Sequence, residues 1–74
     1  MDKEEFRDSL KELGVSQRKF AAEVDTDVTA VNRWAMGTRK VPGPAAAYLR
    51  LVLANHRARA VDERTRQAYK NIRR

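Results

Sequence analysis

The chain contains no cysteine and a single histidine, His56. The first absence excludes a disulfide framework and a thiolate metal site, and a lone histidine cannot assemble a structural zinc centre. Glycine occurs three times and proline twice, with no glycine-rich phosphate loop. No nucleophile stands with a partner base in a recognisable arrangement, so no enzymatic chemistry, cofactor or metal is expected. Strand-like alternation is absent as well. Long apolar runs are missing: Ala45 to Leu49, followed after Arg50 by Leu51 to Ala54, is too short and too interrupted to span a bilayer. The opening residues carry Asp2, Glu4, Glu5, Asp8 and Glu12 and no apolar h-region, so no signal peptide is read and a soluble, cytoplasmic protein is expected.

What the chain has is positive charge. Sixteen lysines and arginines face ten acids, for a net charge of +6 and a pI near 10.3. That balance points to a polyanionic partner, with nucleic acid ahead of a membrane surface. Residues 1–13 hold three basic against five acidic side chains, residues 14–54 six against three, and residues 55–74 seven against two. The uneven placement suits a surface with one basic face or tail. Seventy-four residues make at most one domain, which buries only about 60% of its unfolded surface. The core must therefore be small and well patterned, and dimerisation would help to stabilise it.

The periodicity is helical throughout and gives an all-α fold, a compact bundle of four to five helices. Phe6, Leu10 and Leu13 share one face of a first helix over Asp2 to Leu13, which Gly14 ends. Ser16 offers a cap to a second, Gln17 to Val24, with Phe20, Ala21 and Val24 inward. Asp27 can cap a third, Val28 to Met36, closed by Gly37. Thr38 to Gly43 is a connector. Pro44 suits the first turn of a fourth helix, running to about His56, with Ala45, Tyr48, Leu49, Val52 and Leu53 on its apolar face. Val61, Thr65, Ala68, Tyr69 and Ile72 then fall at helical spacing, in a fifth helix that is either weakly capped or continuous with the fourth.

From Gln17 to Met36 the segment QRKFAAEVDTDVTAVNRWAM has the pattern of a helix-turn-helix. Ala21 is small where two helices cross, a turn follows at Asp25, and Val31 and Trp34 face inward. At 100° per residue, Thr29, Asn32, Arg33 and Met36 then point roughly the other way. With Ser16 and Gln17 opening the first helix and Gly37, Thr38, Arg39 and Lys40 leaving the second, the segment resembles the lambda-repressor-like family, the Cro and Xre-type phage and bacterial regulators. The resemblance covers roughly residues 3 to 54. In that family the second helix lies in the major groove while the first crosses the backbone.

The resemblance implies base contacts from Val28, Thr29 and Arg33, with Asn32 at the edge of the same face and able to reach a base or a phosphate. Arg33 is the best guanine reader, because its fork can bond O6 and N7 together; its alternative is a surface ion pair with Glu23 or Asp27. Thr29 can bond a base or touch a thymine methyl. Val28 offers apolar contact only, or packs inward beside Val31. Phosphate contacts are implied for Gln17 at a helix start, for Thr38, Arg39 and Lys40 at the exit, and for Arg18, with Lys19 adding to the field. Trp34 is expected in the core rather than stacked on a base, and Tyr48 in the core or at an interface. Asp25 stands where the family usually has glycine. Asp27 is read as a cap that can also accept from cytosine N4.

The expected organisation is a DNA-binding domain over residues 1–56, with the motif at 17–36, and a basic C-terminal helix or tail over residues 57–74 that serves dimerisation or a partner. The expected function is sequence-specific recognition of double-stranded DNA by a phage or bacterial repressor, a homodimer on a palindromic operator with its recognition helices about 34 Å apart. Leu51, Val61, Tyr69 and Ile72 are candidates for the dimer surface, or else for the monomer's own core. The competing classes are an antitoxin-type protein-interaction module and an RNA binder acting through the arginine-rich segment.

Overall fold

The computed structural model describes the backbone of residues 1–72 and the side chains of residues 1–60. The described residues form helices α1 (Lys3–Leu13), α2 (Gln17–Glu23), α3 (Val28–Met36) and α4 (Gly43–Ile72), with no strand among them. The Asp2 carboxylate accepts from the Glu5 N–H at 2.7 Å and starts α1, while Glu4 and Glu5 in the first turn suit the positive end of the helix dipole. Gly14 ends it at φ 68°, a left-handed conformation that costs a glycine little, and its N–H returns to the last carbonyls of the helix.

The core is built where these helices meet. Phe6, Leu10, Phe20, Ala21, Val31, Trp34, Ala35 and Leu49 are all buried, and α1 packs against both α3 and α4 while α2 packs against α3. Phe6 is the hub. Its ring stands edge-on to Phe20, centroids 5.5 Å apart, and to Trp34 at 6.0 Å, so one side chain of α1 ties α2 to α3. Such edge-to-face pairs contribute about 0.5–1.5 kcal/mol each beyond the area they bury. Ser9, the buried polar residue on α1, donates its hydroxyl to the Glu5 carbonyl at 2.7 Å and so carries no unmet hydrogen bond inward.

Three helix boundaries are corrected. Asp2 is the N-cap of α1, which begins at Lys3, one residue later than expected. Helix α2 stops at Glu23, with Val24 as its cap, one residue short of the sequence reading. Gly43, expected in the connector, is the first residue of α4, because the Pro42 carbonyl accepts from the Ala46 N–H at 2.9 Å and closes the first turn one residue early. Of the four to five helices expected there are four, because α4 is continuous, one of the two alternatives, and runs unbroken through Ala58, Arg59 and Ala60. No glycine, proline or capping side chain interrupts that stretch, and alanine and arginine rank among the better helix formers.

Three apolar core residues lie outside the expected apolar faces, Ala35 on α3 among them. Val41, in the connector, is buried, and so is Ala46 beside Leu49 on α4. Tyr48 is 38% exposed and rests its ring on Phe20 with its hydroxyl at the surface. Among the described residues, no helix is long and apolar enough to cross a membrane.

Candidate nucleic-acid interface

The turn between α2 and α3 sets the direction of α3. Asp25 sits at φ 55°, the one non-glycine residue with positive φ among those described, and this lets the Thr26 N–H reach back to the Ala21 carbonyl at 2.9 Å. Aspartate tolerates that conformation better than most residues, since its short polar side chain can bond locally. Two residues on, Asp27 is in extended geometry and its carboxylate accepts from the Ala30 N–H at 2.7 Å, which caps α3 as expected.

Helix α3 then divides cleanly. Val31, Trp34 and Ala35 are buried against α1 and α2, and Thr29, Asn32, Arg33 and Met36 are exposed. Val28 belongs to the outer side: at 39% exposure it stands beside Thr29 and is not buried with Val31. Trp34 is in the core, which leaves no face of its indole for a base.

Two contacts join this outer side to its neighbours. The Asn32 side-chain amide donates to the Gln17 carbonyl oxygen at 3.2 Å, so the first residue of α2 and the middle of α3 share one polar patch. Gln17 keeps its own N–H₂ for an outside acceptor. Among the described residues Arg33 forms no ion pair, and its two expected carboxylate partners bond elsewhere. Glu23 accepts from the Tyr48 hydroxyl at 3.2 Å, and Asp27 is bonded to its own helix. The same hydrogen bond to the Glu23 carboxylate holds the Tyr48 proton and raises its pKa above the usual phenol value, with desolvation adding to the effect.

At the far end of α3, Gly37 takes φ 79°, and the Arg33 carbonyl accepts from the N–H groups of Thr38 at 3.1 Å and Arg39 at 3.3 Å and from the Thr38 hydroxyl at 3.3 Å. The Thr38 hydroxyl proton is therefore spent on closing the helix. Its backbone is fixed, while the exposed Arg39 and Lys40 carry the charge of this exit. Lys3 joins them. Its aliphatic stem lies over Gly37, where an added Cβ would come within 2.8 Å of the lysine Cδ, and Lys3, Arg39 and Lys40 line one groove of about 360 Å³ with Met1, Asp2 and Val41. The sequence reading missed Lys3, because it lies more than thirty residues from the exit and amid acids. Arg18 and Lys19 are exposed on α2.

The acids of α1 are partly neutralised on another side of the molecule. Glu12 accepts twice from the Arg57 guanidinium, at 2.8 and 3.1 Å, and Glu5 lies 3.7 Å from Arg50. The Arg57 hydrogen bond lowers the Glu12 pKa below the usual carboxylate value, against a smaller desolvation effect, and the same pairing raises that of Arg57. With two arginines of α4 occupied by α1, the cations without a carboxylate partner among the described residues include Arg18, Arg33, Arg39 and Lys40 around α2, α3 and the exit. Of the dimer-surface candidates, Leu51 is 61% exposed, whereas the side chains of Val61, Tyr69 and Ile72 lie outside the described residues. No protein-family model, curated protein or solved structure matches this chain, so the chemistry of this face is the basis for assigning it a function.

Proposed function

We propose that the chain is a sequence-specific double-stranded DNA-binding regulator, a phage or bacterial repressor that acts in the cytoplasm as a homodimer on a palindromic operator. In this reading α2 and α3 form a helix-turn-helix of the lambda-repressor-like, Cro/Xre type, within a DNA-binding unit spanning residues 1–56. The observation that carries the proposal is the outer face of α3: Thr29, Asn32 and Arg33 exposed in one row, with Arg33 in no ion pair among the described residues, on a helix fixed from behind by Val31 and Trp34. A rigid helix displaying hydrogen-bonding side chains is what reading base edges in a major groove requires.

Each residue then has a role. Arg33 bonds guanine O6 and N7, Thr29 a base or a thymine methyl, and Val28 and Met36 make apolar contact. Asn32 is held by Gln17, which leaves the Gln17 N–H₂ for a phosphate where the α2 N-terminus already favours an anion. Arg39, Lys40 and Lys3 grip the backbone beyond the end of α3, and Arg18 extends that field. Asp27, committed to its cap, keeps a lone pair for cytosine N4.

Selection of bound sequences from a random duplex pool tests the proposal: an enriched inverted repeat with half-sites about one helical turn apart supports it. The opposing result is binding that survives Arg33→Ala but is lost on truncation after His56, which would transfer recognition to the arginine-rich end and to an RNA or protein partner.

A further inference from the structure

The side of α4 that faces away from the core is apolar, where a solvated helix would be polar. At 100° per residue, buried Ala45, Ala46 and Leu53 fall within about 60° of buried Leu49, while Ala47, Leu51, Ala54 and Ala58 fall within about 40° of the opposite direction. All four are exposed, Leu51 to 61%. Their spacing of four, three and four residues is the heptad step. The sequence keeps it through Val61, Thr65, Ala68 and Ile72, and the α4 backbone is helical over that whole span. An apolar heptad sustained for nearly four repeats is the pattern of a helix that pairs with another helix.

We propose that this stripe is the seam of a parallel two-stranded coiled coil between α4 and α4 of a second copy. The pairing supplies the two-fold partner for the DNA-reading proposal, on which its meaning for operator binding rests. The flanks select the direction. Arg50 and Arg57 lie on one side of the seam, where Glu5 and Glu12 of α1 pair with them, and Tyr48 and Asn55 lie on the other. A parallel pair sets the flank that carries α1 beside the partner's Tyr48 and Asn55 flank; an antiparallel pair sets the two flanks that carry α1 against each other. The alanines let the two backbones approach closely. Length favours the pairing too: the last described hydrogen bond between α4 and the other helices is at Arg57, yet the helix continues over residues 58–72, about 22 Å at 1.5 Å per residue, and isolated helices of that length are marginal in water.

Because the chain has no cysteine, single cysteines report the geometry directly. In a parallel two-fold pair each seam residue meets its own counterpart within disulfide reach. Full-length Ala54→Cys and Ala58→Cys should both oxidise to disulfide-linked dimers, at least tenfold faster than Arg59→Cys, which lies off the seam. Leu51→Glu and Ala58→Glu, both at exposed positions, should move the sedimenting mass from twice 8.5 kDa to 8.5 kDa while keeping the helical circular dichroism of the folded chain. A wild-type chain that sediments as a monomer at high micromolar concentration overturns the seam, and so does equal cross-linking at all three positions. Cross-linking at only one of Ala54 and Ala58 overturns the parallel direction. Titration of the selected duplex on the same samples separates the two proposals: a monomer that binds it leaves DNA reading without the seam, and a cross-linked dimer that binds no duplex leaves the seam without DNA reading.

Discussion

Arg33→Ala separates base reading from general attraction to DNA. The side chain is exposed, forms no ion pair among the described residues and sits on a helix held by Val31, Trp34 and the Asp27 cap, so its removal should leave the fold intact. Alanine is also the better helix former, by a few tenths of a kcal/mol. The local geometry does not depend on it either, because the Thr38 and Arg39 contacts go to the Arg33 backbone carbonyl, which alanine retains. The whole effect should therefore fall on binding. Loss of a bidentate arginine–guanine contact costs about 1 to 3 kcal/mol, a fall in affinity of roughly 5- to 150-fold on the selected sequence. Preference at one base pair per half-site should relax, with the other positions unchanged. Fluorescence anisotropy over a salt series, on the selected duplex and on variants substituted at each position, reads both quantities. If affinity for the selected duplex is unchanged, or falls equally for every sequence, Arg33 does not read a base and the outer face of α3 is not the recognition surface.

The remaining expectations are simpler. Trp34→Ala should cost about 3 to 5 kcal/mol of folding stability, a large part of the roughly 4 to 11 kcal/mol open to a chain of this length; urea unfolding followed by circular dichroism measures it, and a loss under about 1 kcal/mol would show that the indole does little for the core. Lys3→Ala, Arg39→Ala and Lys40→Ala should weaken all duplexes similarly and reduce the salt slope by about one each, and an unchanged slope would remove that residue from the phosphate contacts. Asp25→Gly relieves a left-handed aspartate at φ 55° but gives the unfolded chain more freedom, effects of about 1 kcal/mol with opposite sign, so the urea midpoint should stay or rise; a clear fall would mean that the aspartate side chain itself holds the turn. The Glu12 pKa is lowered in the folded state, so the Arg57 pair adds stability at neutral pH and loses it as pH falls through that lowered value. Glu12→Gln should accordingly unfold more easily than wild type near pH 7, with the gap closing in acid, and a gap independent of pH would exclude the pair as its cause.

Much of the candidate site was legible because it is local. Helix-terminal signals act within a few residues: Ser16, Asp27, Gly14 and Gly37 cap the helices their positions predict, since the geometry of a cap involves only the neighbouring turn. The inward phase of Val31 and Trp34 fixed the outward phase of Thr29, Asn32 and Arg33 by the same 3.6-residue period. Val28 is ambiguous in the sequence because a residue in the first turn is buried or exposed according to how the preceding chain enters the helix.

The sequence by itself determined the all-helical character, the absence of disulfide chemistry, the basic balance and the start and end of α3, because each follows from composition or from interactions spanning one helical turn. The tertiary structure alone decided what depends on residues distant in the chain. It buried Val41 without a periodic signal, brought Asn32 to Gln17 and Tyr48 to Glu23, left Arg33 in no ion pair among the described residues, and laid Lys3 over Gly37 beside Arg39 and Lys40. It also carried α4 unbroken from Gly43 to Ile72. Packing of Phe6 against Phe20 and Trp34 fixes how α1, α2 and α3 meet, and those long-range contacts set which polar groups become neighbours.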